Sequence, residues 1–167
     1  MAATEGAAQA GPSAGPVKSR AQADGYDKTC IFCKIGSQQT DTELVHFDGD
    51  LACFKDIKPG APQHYLVVPV KHVGNCRSLT KDHVPLVEKM VEVGKSVLQK
   101  NNITDLSDVR LGFHWPPFSS VNHLHLHVLA PASEMGFMSK IFYRIDSYWF
   151  VTAEQLIQRL NSLSESN

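Results

Sequence analysis

Apolar and polar positions alternate most strictly in His123-Leu124-His125-Leu126-His127-Val128. A period of two belongs to a β-strand, whose successive side chains point to opposite faces. It predicts a strand that turns Leu124, Leu126 and Val128 to a core and lines His123, His125 and His127 along the other face. Neighbouring histidines would stand roughly 6–7 Å apart by strand rise. A helix would scatter them. Histidine has little β-propensity and no comfortable buried state, so three in one row point to chemistry or to a metal.

The rest of the pattern places this row in a fold. Residues 1–25, rich in Ala, Gly, Ser, Gln and Pro, carry no aromatic side chain. They hold too little apolar surface to offset the entropy of ordering and are expected to be a disordered tail, leaving one domain over 26–167. Cys30-Ile31-Phe32-Cys33-Lys34-Ile35-Gly36 reads as a short apolar turn closed by glycine. Glu43 to Asp48 and Leu51 to Asp56 read as a hairpin about Asp48-Gly49-Asp50, and His64 to Pro69 as the next strand. The main helix is expected over Leu79 to Asn101. Its stripe is Val84, Val87, Met90, Val91, Gly94, Val97 and Leu98, and Pro85 is tolerated near its start. Asp108 to His114 reads as a strand and Ser147-Tyr148-Trp149-Phe150 as an aromatic segment. Thr152-Ala153-Glu154-Gln155 is a capping-box pattern for a last short helix burying Leu156, Ile157 and Leu160. This order predicts an α+β domain with a largely antiparallel sheet of about five strands, one main helix and a short C-terminal helix.

Composition narrows the partners. The chain has 167 residues, a formal net charge of −1 and 20% charged residues, with no basic excess for long nucleic acids. No apolar run has the length of a membrane span, and the N-terminus lacks a signal-peptide build. Four cysteines, unevenly placed, do not make a secreted disulfide scaffold. The expected setting is a reducing one, cytoplasmic, with the nucleus open to so small a protein.

A row of imidazoles supports two chemistries. A neutral imidazole can attack phosphorus and form a covalent phosphohistidine, given one group to fix its tautomer and donors for the phosphate oxygens. Ser120, just upstream, offers a hydroxyl for such a phosphate. Alternatively, histidines at i and i+2 can share a metal ion. Alternation alone leaves both open.

Neighbouring motifs separate them. His123-Leu124-His125-Leu126-His127-Val128-Leu129 is similar to the signature His-φ-His-φ-His-φ-φ, φ being apolar, of the histidine triad superfamily. Ala52 to Pro59 with His64 to His72 resembles the strand pair that binds the nucleoside in its nucleotide-binding branch, and Cys30 to Ile35 resembles its N-terminal segment. The resemblance runs from Asp27 to Pro131. It implies hydrolase chemistry on an α-phosphate bearing adenosine, with no cofactor needed for the reaction. By this matching His125 is the nucleophile, His127 contacts the phosphate and assists the leaving group, and His123 and His64 orient the triad. Asp56 would bind the ribose hydroxyls, Ser120 the phosphate, and Ile31, Phe32, Phe54 and Ile57 would clamp the base. The family usually carries asparagine where Gly112 stands. Gly112-Phe113-His114 resembles the aprataxin branch instead and assigns a phosphate contact to His114, but the chain lacks that branch's zinc finger and basic surface for DNA. Some members hold structural zinc on the counterparts of Cys30, Cys33, His72 and His123, and related proteins pair as homodimers, sheet edge to sheet edge. The expected activity is hydrolysis of the P–N bond in adenosine 5'-monophosphoramidates such as AMP-NH2 or AMP-lysine, with acyl-adenylates as further substrates. The alternatives are a dinucleoside polyphosphate or cap-scavenging pyrophosphatase and a non-catalytic AMP sensor.

Overall fold

A computed structural model describes residues 25–163, so the tail expected over 1–25 lies outside the described residues except for Gly25. Along the chain come α1 (Ile31–Gly36), β1 (Leu44–Phe47), β2 (Leu51–Lys55) and β3 (Gln63–Pro69), then α2 (Val84–Lys100), β4 (Arg110–His114) and β5 (Leu126–Ala130). The last elements are α3 (Phe137–Phe142), β6 (Phe150–Thr152) and α4 (Ala153–Asn161). The strands form one sheet in the order β1-β2-β3-β5-β4-β6, antiparallel at every junction. This is the α+β architecture expected, with six strands in place of about five. The sixth, β6, comes from the end of the aromatic segment and pairs with β4, Phe113 opposite Val151.

One face of the sheet is the main core. Tyr65, Val67, Leu126, Val128, Phe113 and Val151 meet Val87, Met90, Val97 and Leu98 of α2 and Leu156 and Leu160 of α4. Burying such apolar side chains contributes roughly 1.5–3 kcal/mol each and is the main source of stability here. Gly94 lets α2 approach closely, since a Cβ there would lie 2.8 Å from Val128 Cγ2. Helix α2 starts at Val84, not at Leu79, because a separate 3-10 turn, Lys81–His83, precedes it with Thr80 and His83 closing a capping box. Its buried stripe includes Val93, while Val91 is only half-buried. Ile157 of α4 is half-buried too, and both line a groove left open between the two helices. The capping box at Thr152 and Gln155 is formed as the sequence predicts.

The other face carries the histidines between two flanking covers. At one end α1 lays Phe32, Cys33 and Ile35 on Ala52, Phe54, Leu66 and Val68; at the other, Tyr143, just past α3, packs with Leu129, Met135 and Phe150. The histidine stretch is not one continuous strand. Pairing begins at Leu126, so only His127 belongs to β5, opposite Leu66 and Gly112. Pro69, at the end of β3, has no N–H to extend the ladder. The approach to β5 is held instead by Leu124 N–H to the Val73 carbonyl at 2.6 Å and by the His123 ring to the Pro69 carbonyl.

Candidate active site

Five histidines lie buried on this face: His64, His114, His123, His125 and His127. Their alternation with Leu124, Leu126 and Val128 sends the leucines and valine into the core, and the imidazoles to the side between α1 and Tyr143. The hydrogen bonds then decide which nitrogen of each ring carries the proton.

His125 Nδ1 lies 2.6 Å from the His123 carbonyl oxygen. A carbonyl only accepts, so Nδ1 carries the hydrogen and Nε2 is left with its lone pair. Burial holds the His125 pKa below the ordinary histidine value, with the His123 carbonyl and the Asp56 charge opposing it. The neutral form with a free Nε2 is the nucleophilic form.

A second chain of bonds fixes His127. Gly60 N–H donates to His64 Nδ1 at 2.9 Å, so His64 carries its hydrogen on Nε2. That Nε2 lies 3.0 Å from His127 Nδ1 and 3.4 Å from an Asp56 carboxylate oxygen. His127 therefore accepts at Nδ1 and carries its hydrogen on Nε2, the nitrogen that can donate to a phosphoryl oxygen or a leaving group. Burial pushes His64 down to about 4 against the pull of Asp56, and burial with three neighbouring imidazoles holds His127 well below the usual range. The two rings nearest the chemistry thus present opposite functions, an acceptor at His125 and a donor at His127, 5.0 Å between ring centroids.

Other residues singled out in the sequence fall into place unequally. Phe32 and Phe54 are buried, 5.6 Å apart, and Phe32 meets the His125 ring edge-on at 5.0 Å. Ile31 and Ile57, assigned to the same clamp, are 47% and 92% exposed and stand at its rim. Asp56 is half-buried, one oxygen accepting from Lys58 N–H at 2.8 Å. Ser120 is exposed; Ser119 is the serine that lines a small cavity of about 10 Å³ with His114 and His125. His114 does not offer a donor to a phosphate. Its Nε2–H goes to the Phe142 carbonyl at 2.8 Å, and burial, pushing its pKa down to about 4, leaves Nδ1 an acceptor. It forms a wall with Tyr143, whose ring also meets His64 at 5.5 Å and His127 at 5.1 Å. Tyr143 carries no signal in the sequence because it lies in an excursion with no periodic pattern.

Gly112 has a physical reason in the same excursion. It faces His127 across β5, and a Cβ there would sit 2.4 Å from both Phe150 Cζ and the Val151 carbonyl oxygen. Strand β6 occupies the room that an asparagine side chain would need.

His123 divides its atoms between two tasks. Its carbonyl serves His125, while its ring turns away, Nε2–H to the Pro69 carbonyl at 2.8 Å and Nδ1 toward sulfur. Nδ1 lies 3.3 Å from Cys30 Sγ and 3.5 Å from Cys33 Sγ, and Cys33 Sγ lies 3.3 Å from His72 Nδ1. Tetrahedral zinc with ordinary bond lengths would set sulfur and nitrogen ligands roughly 3.6 Å apart. The four ligand atoms, all within 4.8 Å of one another, fit that ion. Asp27 N–H, 3.4 Å from Cys33 Sγ, supplies an outer hydrogen bond of the kind that steadies a thiolate. Asp56, His64 and His127 also cluster, but direct hydrogen bonds already account for their spacing.

Comparisons with known proteins give the chain its relatives. The family model described as scavenger mRNA decapping enzyme C-term binding matches residues 29–143. Adenosine 5'-monophosphoramidase HINT3 of Xenopus tropicalis is 63% identical over 138 residues, 82% of this chain and 90% of that protein. The protein of the same name from Mus musculus is 58% identical over 137 residues, 81% of this chain and 83% of that one. Among solved structures, the HIT family hydrolase of Legionella pneumophila Philadelphia 1 is 30% identical with a TM-score of 0.57, over 60% of this chain and 91% of that one.

Proposed function

The chain belongs to the histidine triad superfamily, and from that premise we propose that it hydrolyses adenosine 5'-monophosphoramidates, cleaving the P–N bond through an AMP–histidine intermediate. The observation that carries this reading is the pair of opposed tautomers, a lone pair on His125 Nε2 beside a hydrogen on His127 Nε2. His125 Nε2 attacks the α-phosphorus as the P–N bond breaks. The nitrogen, protonated from solvent, leaves as the neutral amine while His127 Nε2–H donates a hydrogen bond to a phosphoryl oxygen. Water then attacks the adenylyl group on His125 and releases its proton to solvent, and AMP departs as the His125 Nε2 lone pair is restored. Asp56 is suited to the ribose hydroxyls, with Phe32 and Phe54 walling the base. The names of the relatives from Xenopus tropicalis and Mus musculus support this substrate class.

Steady-state hydrolysis of AMP-NH2, followed by intact mass on quenched enzyme, tests it. AMP release with a transient adduct of one AMP unit is expected, and both should vanish in His125→Ala while AMP binding persists. Turnover in that variant would refute the role of His125. The match to the scavenger mRNA decapping enzyme family model favours one second reading, cleavage of dinucleotide pyrophosphates such as cap remnants. Product analysis on a diadenosine polyphosphate beside AMP-NH2 decides between the two.

The Cys30, Cys33, His72 and His123 cluster is suited to structural zinc, which would lie outside the reaction because His125 and His127 face elsewhere. Metal analysis of purified protein tests this. A homodimer joined edge to edge belongs to the same reading. Strand β4 is already covered by β6, so a second copy would pair at β1 or β6, and light scattering decides the matter. Residence in the cytoplasm and nucleus is checked by fractionation. No helix among the described residues is long and apolar enough to cross a membrane.

A further inference from the structure

On the far side of Tyr143 from the histidines, a cavity of about 530 Å³ opens between Ser107–Arg110, the turn at Ala132–Ser133 and the segment from Lys140 to Ile145. Arg110, Lys140 and Arg144 line it. Arg110 is half-buried, with one guanidinium N–H held by the Tyr143 carbonyl. Lys140 and Arg144 stand four residues apart around the end of α3, both exposed. Among the described residues none of these three cations makes an ion pair. One carboxylate, Asp108, also lines the cavity, but its oxygens accept from Ser133 N–H at 2.8 Å and Ser133 Oγ at 2.6 Å. Three cations converging on one committed carboxylate repel one another, and an anion between them relieves that repulsion.

We propose that this cavity is a second anion site, taking a phosphate-bearing ligand distinct from the nucleotide at the histidines. Guanidinium offers the paired donors that phosphate oxygens accept, and lysine adds a mobile charge. The position couples it to the histidine row. The residue whose carbonyl holds Arg110 is the one whose ring abuts His64, His114 and His127. Helix α3, which brings Lys140 to the cavity, exposes Phe137 at 78% and Met138 at 72%, so the phosphate can come from a free anion or from a lipid headgroup.

Calorimetric titration of the full-length protein with inorganic pyrophosphate tests this, in the wild type and in K140Q/R144Q. Both side chains are exposed, and an unchanged melting temperature verifies that the variant folds. Saturable binding that weakens roughly thirtyfold in the variant, and weakens with added salt, is expected from the loss of two charge-assisted contacts. A second arm measures sedimentation with phosphatidylcholine vesicles carrying phosphatidic acid. Binding there but not to pyrophosphate, lost in the variant, supports the site and assigns the phosphate to a lipid. Equal pyrophosphate affinity in wild type and variant would place the ligand elsewhere and overturn the proposal, as would binding in neither arm. The heat of pyrophosphate binding is read without turnover, so a failed phosphoramidate assay leaves this test intact.

Discussion

Acid should unfold this protein in a window set by its buried histidines. In the unfolded chain His64 and His114 titrate near the ordinary value of 6.5; in the fold, burial lowers each to about 4. His64 faces Asp56, His127 and Tyr143, and only Asp56 favours its protonation; His114 faces His127, Tyr143, Phe142 and Phe150. A depressed histidine pKa means the unfolded chain binds the proton more readily. Stability is therefore complete above pH 6.5, declines as pH falls toward 4, and is flat below. From pH 7.5 to about pH 4.5 each such group costs roughly 2–3 kcal/mol, so the pair costs roughly 5 kcal/mol, a large part of an ordinary domain's stability. Carboxylates act in a lower window; Asp48, held down to about 2 by His46, loses its contribution below pH 4. Urea unfolding at both pH values, extrapolated to water, measures the difference. His114→Gln keeps a donor for the Phe142 carbonyl but removes one proton, and should recover that group's own share, roughly 2–3 kcal/mol. Equal stability at both pH values, or a gain on acidification, would refute the reasoning.

Three further outcomes follow from particular contacts. Gly112→Ala forces a methyl group against the Val151 carbonyl oxygen, so β6 must shift; a loss of about 3 kcal/mol is expected in urea unfolding, and a loss under about 0.5 kcal/mol would contradict the packing. Thr152→Ala removes the oxygen that accepts from Gln155 N–H at 3.2 Å, so α4 should lose about 1 kcal/mol, seen as a lower melting temperature with activity retained. If zinc occupies the cysteine–histidine cluster, chelation should lower the melting temperature while leaving the rate of AMP-NH2 hydrolysis per folded molecule unchanged; metal-free protein with the same melting curve would contradict the zinc assignment.

What the sequence revealed follows from which interactions are local. The histidine alternation, the Asp48-Gly49-Asp50 turn, the stripe on α2 and the capping box at Thr152 depend on neighbours in the chain, and all are legible as pattern. Strand β6 was hidden because Phe150-Val151-Thr152 is too short to show a period; it is a strand only because β4 lies beside it. For the same reason the sequence announces no element at α3 and Tyr143, although Phe142 and Tyr143 wall the histidines. The strand period correctly puts three imidazoles on one side, yet it does not say where each ring turns. Those directions come from carbonyls at Pro69 and His123 and from the ring of His64 on another strand, none of which the alternation announces.

The tight spacing of the row now has a reason beyond placing three rings together. At His123 the carbonyl fixes the hydrogen of His125, while the ring nitrogens belong to Pro69 and the cysteines. At His127 the ring accepts from His64, which accepts in turn from Gly60. The nucleophile is oriented by backbone and the donor by a relay of side chain and backbone, so neither tautomer depends on a mobile group. Replacing His64 would release the His127 tautomer without emptying the site, whereas the His123 carbonyl that fixes His125 survives any substitution. In this fold tautomer control is a property of the main chain as much as of the histidines themselves.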